Sequence, residues 1–165
     1  MSYVFDSSSL IYLGKLKLLG EISSLKGEKF IPREVYEEVM TKGFERNEPE
    51  VNEIVELIDN KQLIIKDIEI NIADDQLLSK ADQEVISLAK KTKSTAIINE
   101  IYGKQIAKSY NIECHGSLYV LIKLIEKRSI TKKQAVDYID KMIELGFYLS
   151  INKYKEILQL IKDMK

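Results

Sequence analysis

Short runs of strand-forming residues alternate with apolar stretches at helical spacing along this chain, and that alternation limits the fold more than any other feature. Tyr3, Val4 and Phe5 form a strand that runs straight into Asp6. Residues 9–25 then place Leu10, Ile11, Leu13, Leu16, Leu18, Leu19, Ile22 and Leu25 at helical spacing, with a break expected near Gly14 or Gly20. A short strand is expected over 29–31. A helix follows over 34–40 with Pro32 in its first turn, and residues 42–49 read as a loop. Residues 51–58 are amphipathic helix, 63–70 are β-rich, and 71–80 connect to a helix over 80–91. "STAIIN" is a buried strand, 102–110 a helix, 112–114 a short strand and 116–126 a strongly apolar helix. Thr131 with Gln134 forms a capping box for a helix running to Leu145. Gly146 is its expected C-terminal cap, and a last helix covers 151–164.

Strand–helix alternation of this kind builds a parallel sheet covered by helices on both faces, an α/β fold of three layers. No repeat, low-complexity tract or linker interrupts it. The chain therefore reads as one domain over residues 1–165, with C-terminal helices from about residue 131 packed on it.

The lone Cys114 excludes an internal disulfide and a cysteine-based zinc cluster, and suits a reducing compartment. No apolar run approaches the roughly 20 residues of a membrane span, and the N-terminus lacks a signal-peptide layout, so a cytoplasmic location is expected. Net charge is −1 and the isoelectric point is near 6.0. Bulk electrostatics cannot hold a nucleic acid at such a charge. Any nucleic-acid contact must rest on a local patch or a bound cation.

In parallel α/β sheets, ligands sit beyond the carboxyl ends of the strands. Asp6 ends the first strand there, and Asn99 and Glu100 end the "AIIN" strand. Glu38 in "IPREVYEEVM", and Asp82 and Glu84 in "SKADQEVISLA", belong to helices beginning near the same edge. Carboxylates brought within about 4–6 Å raise one another's pKa unless a cation neutralises them. Hard oxygen ligands suit Mg²⁺ or Mn²⁺, which bind through a few carboxylates and retained waters. On this reading Asp6 is a metal ligand, and Ser7 and Ser8 orient it or a phosphate.

Each residue also has a plainer reading. Asp6 followed by serines is a helix N-cap pattern. Glu38 sits in a charge-rich helix, Asp82 suits a first helical turn, and Asn99–Glu100 suits a turn. Only their joint placement on one edge favours the site. His115 neighbours Cys114 in a strand, so the two side chains face opposite ways and form no dyad. No GxxxxGK[ST] or GxGxxG sequence occurs, and no second Asp follows Asp6 by two residues.

These residues resemble the PIN domain, a small metal-dependent nuclease fold, and most closely its short prokaryotic subfamily. "FDSSSLIYLGKLKLL" matches that subfamily's opening Asp-Ala/Ser-Ser-x-Leu-Ile-x-Leu. "IPREVYEEV" resembles Pro-x-x-Val-x-x-Glu-Val and places Glu38 on the second acid. "KADQEVISLA" is similar to Gly-Glu-Ala-Glu-Ala-Ile and places Asp82 and Glu84 on its acids. "IINEIYGKQIAKSYNIECHGSLYVL" resembles the stretch with an Asp-Asp pair and a later Gly-Thr-Leu, where Ser117 falls on the Thr. "LGFYLSINKYKEIL" resembles the C-terminal Gly-Phe-x-x-Ser-x-x-x-Tyr segment. Two departures stand out: Asn99-Glu100 replaces the acidic pair, and Ala81 replaces the Gly.

The resemblance implies Mg²⁺- or Mn²⁺-dependent endonucleolytic hydrolysis of RNA. Asp6, Glu38 and Asp82 would be the principal ligands, Glu84 and Glu100 auxiliary ones, and Ser7, Ser8, Asn99 and Ser117 would support them. Toxin–antitoxin ribonucleases share the fold, which adds an antitoxin-like inhibitory protein as an expected partner. A homodimer is also expected, from the apolar segments 51–58 and 118–125. Asn99 keeps a second reading open: a catalytically degenerate PIN-like module that binds RNA or a protein. Lys15, Lys17, Arg33, Lys42 and Lys104 lie near segments feeding the edge.

Overall fold

A computed structural model describes residues 1–165. Its centre is a five-stranded, all-parallel sheet in the order β3-β2-β1-β4-β5, formed by β1 (Tyr3–Phe5), β2 (Lys29–Pro32), β3 (Ile64–Lys66), β4 (Thr95–Ile97) and β5 (Cys114–His115). The helices are α1 (Ser7–Lys15), α2 (Leu19–Ile22), α3 (Arg33–Glu45), α4 (Glu50–Asp59), α5 (Lys80–Thr92), α6 (Ile101–Ser109), α7 (Ser117–Glu126), α8 (Lys132–Glu144) and α9 (Ile151–Asp163).

Parallel strands need crossovers, and helices supply them on both faces of the sheet. Helix α5 packs on β1 and β2, and α6 on β5. Helix α1 packs against α3, α4 and α7; α8 lies on α7 and α9 on α8. A continuous core runs from Val4 and Phe5 through Ile97 and Leu121 to Met142 and Ile161. No helix is long and apolar enough to cross a membrane.

The strand order fixes where a ligand can sit. The chain steps from β1 to β2 and β3 on one side, then returns to β4 and β5 on the other. The β1/β4 crevice is thus the topological switch point, and ligands occupy such crevices at the carboxyl ends of the strands. Phe5 pairs with Ile97 in register, so Asp6 and the 98–100 segment leave the sheet side by side.

Several elements differ from the sequence expectation, and α3 for one runs on to Glu45 through residues read as loop. The first helix breaks at neither glycine, but after its Leu16 C-cap, where Lys17 takes a φ of 57° before α2 begins. Gly14 lies within α1, where an added Cβ would come 2.4 Å from the Glu50 Cβ. Close approach of α1 and α4 explains that glycine. Strand β3 covers only Ile64–Lys66 because it is an edge strand, paired with β2 alone. Pro32 ends β2 and serves as the N-cap of α3, so it precedes the helix's first turn.

Candidate active site

Asp6 leaves β1 and caps α1. Its Oδ1 accepts the Ser9 amide at 2.7 Å and its Oδ2 accepts the Asn99 amide at 3.0 Å. The N-cap reading and the site reading of Asp6 therefore hold together. The side chain is only 3% exposed, and burial pushes its carboxyl up to about 6. The bonds from Ser9 and Asn99 pull the other way without winning, and the charge of Asp82 pushes up again.

The serine row has a distinct task for each member. Ser7 donates its hydroxyl to Glu38 Oε2 at 2.6 Å. Ser8 Oγ accepts from Asn99 Nδ2 at 3.0 Å. Ser9 supplies the capping amide to Asp6. One turn of helix thereby aligns Asp6, Glu38 and Asn99.

Glu38, on α3, is half-buried and also bonds Lys42, one turn onward. Burial raises its carboxyl, but the Lys42 and Ser7 bonds outweigh that and hold it below the usual range. Lys42 is one of the five cations that the sequence places near segments feeding the edge, and the structure pairs it with a site carboxylate. Its i,i+4 spacing from a glutamate was the available signal.

Asp82 lies in the first turn of α5, whose N-cap is Ser79. Ser79 Oγ accepts the Asp82 amide at 3.1 Å and donates to Asp82 Oδ2 at 2.7 Å. Burial raises the Asp82 carboxyl; the Ser79 hydroxyl opposes this, and the charges of Glu38 and Glu100 reinforce it. Glu100 is exposed and caps α6, its Oε2 accepting the Gly103 amide at 2.6 Å. Asp82 thus lies within electrostatic reach of Asp6, Glu38 and Glu100.

Asn99 ties three elements together. Its amide meets Asp6, its Nδ2 donates to Ser8, and its Oδ1 accepts the Ser117 amide at 2.8 Å. Glu84 is drawn elsewhere. It is buried, its Oε2 accepts the Glu34 amide at 3.1 Å, and its Oε1 lies 4.0 Å from Lys80. Helix α3 starts at a proline with no side-chain cap, and the Glu84 carboxylate fills that role from α5.

The donor set has the chemistry of a hard-cation site, oxygen ligands of like charge around a carboxyl already raised by burial. No three His, Cys, Asp or Glu side chains are gathered closely enough to enclose an ion. Mg²⁺ characteristically uses one or two carboxylates and keeps several waters, so an open arrangement of this kind fits it. His115 stacks on Tyr119 with ring centroids 3.9 Å apart and bonds Glu113, while burial pushes the Cys114 thiol up to about 11. Neither takes part in the carboxylate cluster.

A family model described as "DUF3368: PIN domain" matches residues 2–163. The chain belongs to the PIN-domain family. Its fold is similar to that of a PilT N-terminus domain protein from the hyperthermophilic archaeon Sulfolobus solfataricus P2. The TM-score is 0.56 at 14% identity, covering 76% of this chain and 95% of that one. Among curated proteins, none matches this sequence. PIN domains are generally nuclease-like and generally use divalent metals. In this PIN domain Asp6 and Glu100 follow β1 and β4, the two strands that flank the switch point.

Proposed function

We propose that this PIN domain is a divalent-metal-dependent endoribonuclease. The observation that carries the reading is Asp6: a buried carboxyl fixed by two amides at the switch point and coupled electrostatically to Asp82. Asp6, Glu38 and Asp82 would hold Mg²⁺ or Mn²⁺, one or two of them directly and the others through retained waters, with Glu100 as an auxiliary ligand. A bound ion of this type supplies water activation at neutral pH and neutralises charge developing on a phosphoryl group. The chain's own part is positional. Ser9 and Asn99 keep Asp6 from swinging, Ser7 presents Glu38, and Ser79 holds Asp82. Glu84 fits a capping role better than a ligand role, because one of its oxygens already serves the α3 amide.

In this reading the substrate is RNA, in the cytoplasm, and a small antitoxin-like protein is the inhibitory partner. Homodimer formation also belongs to the proposal. On α4 and α7 the apolar surface left to solvent belongs to half-buried residues, Val55 and Ile58 on one and Leu118, Tyr119 and Ile122 on the other.

A second reading has its own support. Asn99 stands where the family carries an acid, and its oxygen is already spent on the Ser117 amide. A degenerate module would keep this architecture and bind RNA or a protein without cleaving. Incubation of purified protein with a labelled RNA, in Mn²⁺ and then in EDTA, separates the two. Cleavage only with the metal supports the nuclease, and binding without cleavage supports the module.

A further inference from the structure

A nearly neutral protein with an acidic edge must still hold a polyanion there, and that takes a cation without a partner of its own. Lys15 pairs with Glu48, Arg33 with Asp67, Lys42 with Glu38, Lys80 with Glu34 and Lys123 with Glu126. Lys29 and Lys132 bond backbone carbonyls. Lys104, in the second turn of α6, is the one half-buried lysine with no hydrogen bond, ion pair or aromatic face.

Its position is specific. An added Cβ on Gly116 would lie 3.0 Å from Lys104 Nζ and 3.1 Å from Asn99 Oδ1. Gly116 has an extended backbone, φ −102° and ψ −176°, which any residue adopts. A side chain here would press on the Asn99 oxygen and on the Lys104 ammonium together. Gly116 also precedes α7, whose first amide, that of Ser117, donates to Asn99 Oδ1 at 2.8 Å. The first residue of that helix, Ser117, carries the molecule's one buried side-chain oxygen without a hydrogen-bond partner. An unpaired ammonium and an unpartnered hydroxyl thus lie beside Gly116, next to Asn99, whose own amide holds Asp6.

We infer that Lys104, with the Gly116–Ser117 end of α7, forms a subsite for one phosphate of an RNA strand. The inference rests on the RNA-cleaving reading for its ligand. It explains how a chain of net charge −1 can dock a polyanion against acids: one half-buried cation with no partner of its own faces the phosphate flanking the reacting one.

Binding of a fluorescent single-stranded RNA in Ca²⁺, followed by anisotropy over a salt series, tests it. One lost phosphate contact on a single strand lowers the magnitude of the log–log salt slope by about 0.7. Lys104→Gln should weaken binding and show that loss, whereas Lys104→Arg should keep the wild-type slope. Gly116→Ala, which crowds the ammonium, should weaken binding with Lys104 still present. Should Lys104→Gln fail to fold, as judged by thermal melting, the Lys104→Arg and Gly116→Ala pair decides the matter. An unchanged slope in Lys104→Gln overturns the subsite, and so does wild-type protein that binds no RNA. Wild-type cleavage of RNA in Mn²⁺ is scored separately. Slope loss in a protein that never cleaves keeps the subsite and overturns the nuclease reading instead.

Discussion

The Asn99 amide donates to Asp6 Oδ2 at 3.0 Å, joining residues 93 apart in sequence at the crevice where the strand order reverses. Through this bond the two central strands, β1 and β4, present a fixed carboxylate at their carboxyl ends. Ser9 holds the other oxygen, so the carboxylate plane is set before any ligand arrives.

That burial has a measurable cost in metal-free protein. The folded chain keeps the Asp6 proton to about pH 6, while an unfolded chain releases it near pH 4. Between those values the folded state binds more protons, so stability falls as pH rises. The Asp6 contribution across the window is about 3 kcal/mol. Asp6→Asn leaves one of two amides without an acceptor, a loss of about 1–3 kcal/mol at every pH. In EDTA, urea unfolding should therefore show wild type losing its advantage over Asp6→Asn as pH rises from 4 to 6. Parallel pH profiles would show that Asp6 is an ordinary cap.

Glu84 allows the capping role to be separated from metal binding. Glu84→Ala strips the α3 N-terminus of its only side-chain acceptor and should destabilise the protein by about 1–3 kcal/mol. Mn²⁺ affinity, measured by calorimetry on the folded variant, should stay within twofold of wild type. A tenfold loss of affinity would restore Glu84 to the ligand set.

Lys42 competes with a cation for Glu38. The pair is partly exposed, 51% for Lys42 and 31% for Glu38, so screening keeps its strength below about 1 kcal/mol. Removing it by Lys42→Met should tighten Mn²⁺ binding about two- to fivefold. Weaker binding in that variant would mean Lys42 organises the site.

Glu100 is the exposed member. Glu100→Gln keeps an oxygen for the Gly103 amide and should leave the fold intact. As an auxiliary ligand it should lower metal affinity or cleavage about 10–100-fold. Unchanged values for both would confine Glu100 to capping α6.

Much of this architecture was legible in the sequence because its signals are local. The parallel sheet follows from the switching of period between strand and helix, and the capping box of Thr131 and Gln134 closes as its spacing predicts. Cys114 and His115 diverge as strand neighbours should. Non-local partners escaped the reading. Glu84 serves an amide 50 residues earlier, and Gly14 yields to Glu50 across a helix contact. Nothing adjacent in sequence records either relationship. The sixth residue shows why counting acids falls short: a cap and a site carboxyl are the same side chain, and only the Asn99 bond reveals the second role.

The central claim is that Asp6 and its neighbouring carboxylates hold the cation for RNA hydrolysis. It is tested most directly by cleavage of a labelled RNA with wild type and Asp6→Asn side by side, across a Mn²⁺ titration begun in EDTA. The account predicts no cleavage by either protein in EDTA, cleavage by wild type as Mn²⁺ exceeds the chelator, and a loss of at least about 100-fold in Asp6→Asn at saturation. Equal cleavage by the two proteins, or wild-type cleavage that persists in excess EDTA, would contradict it.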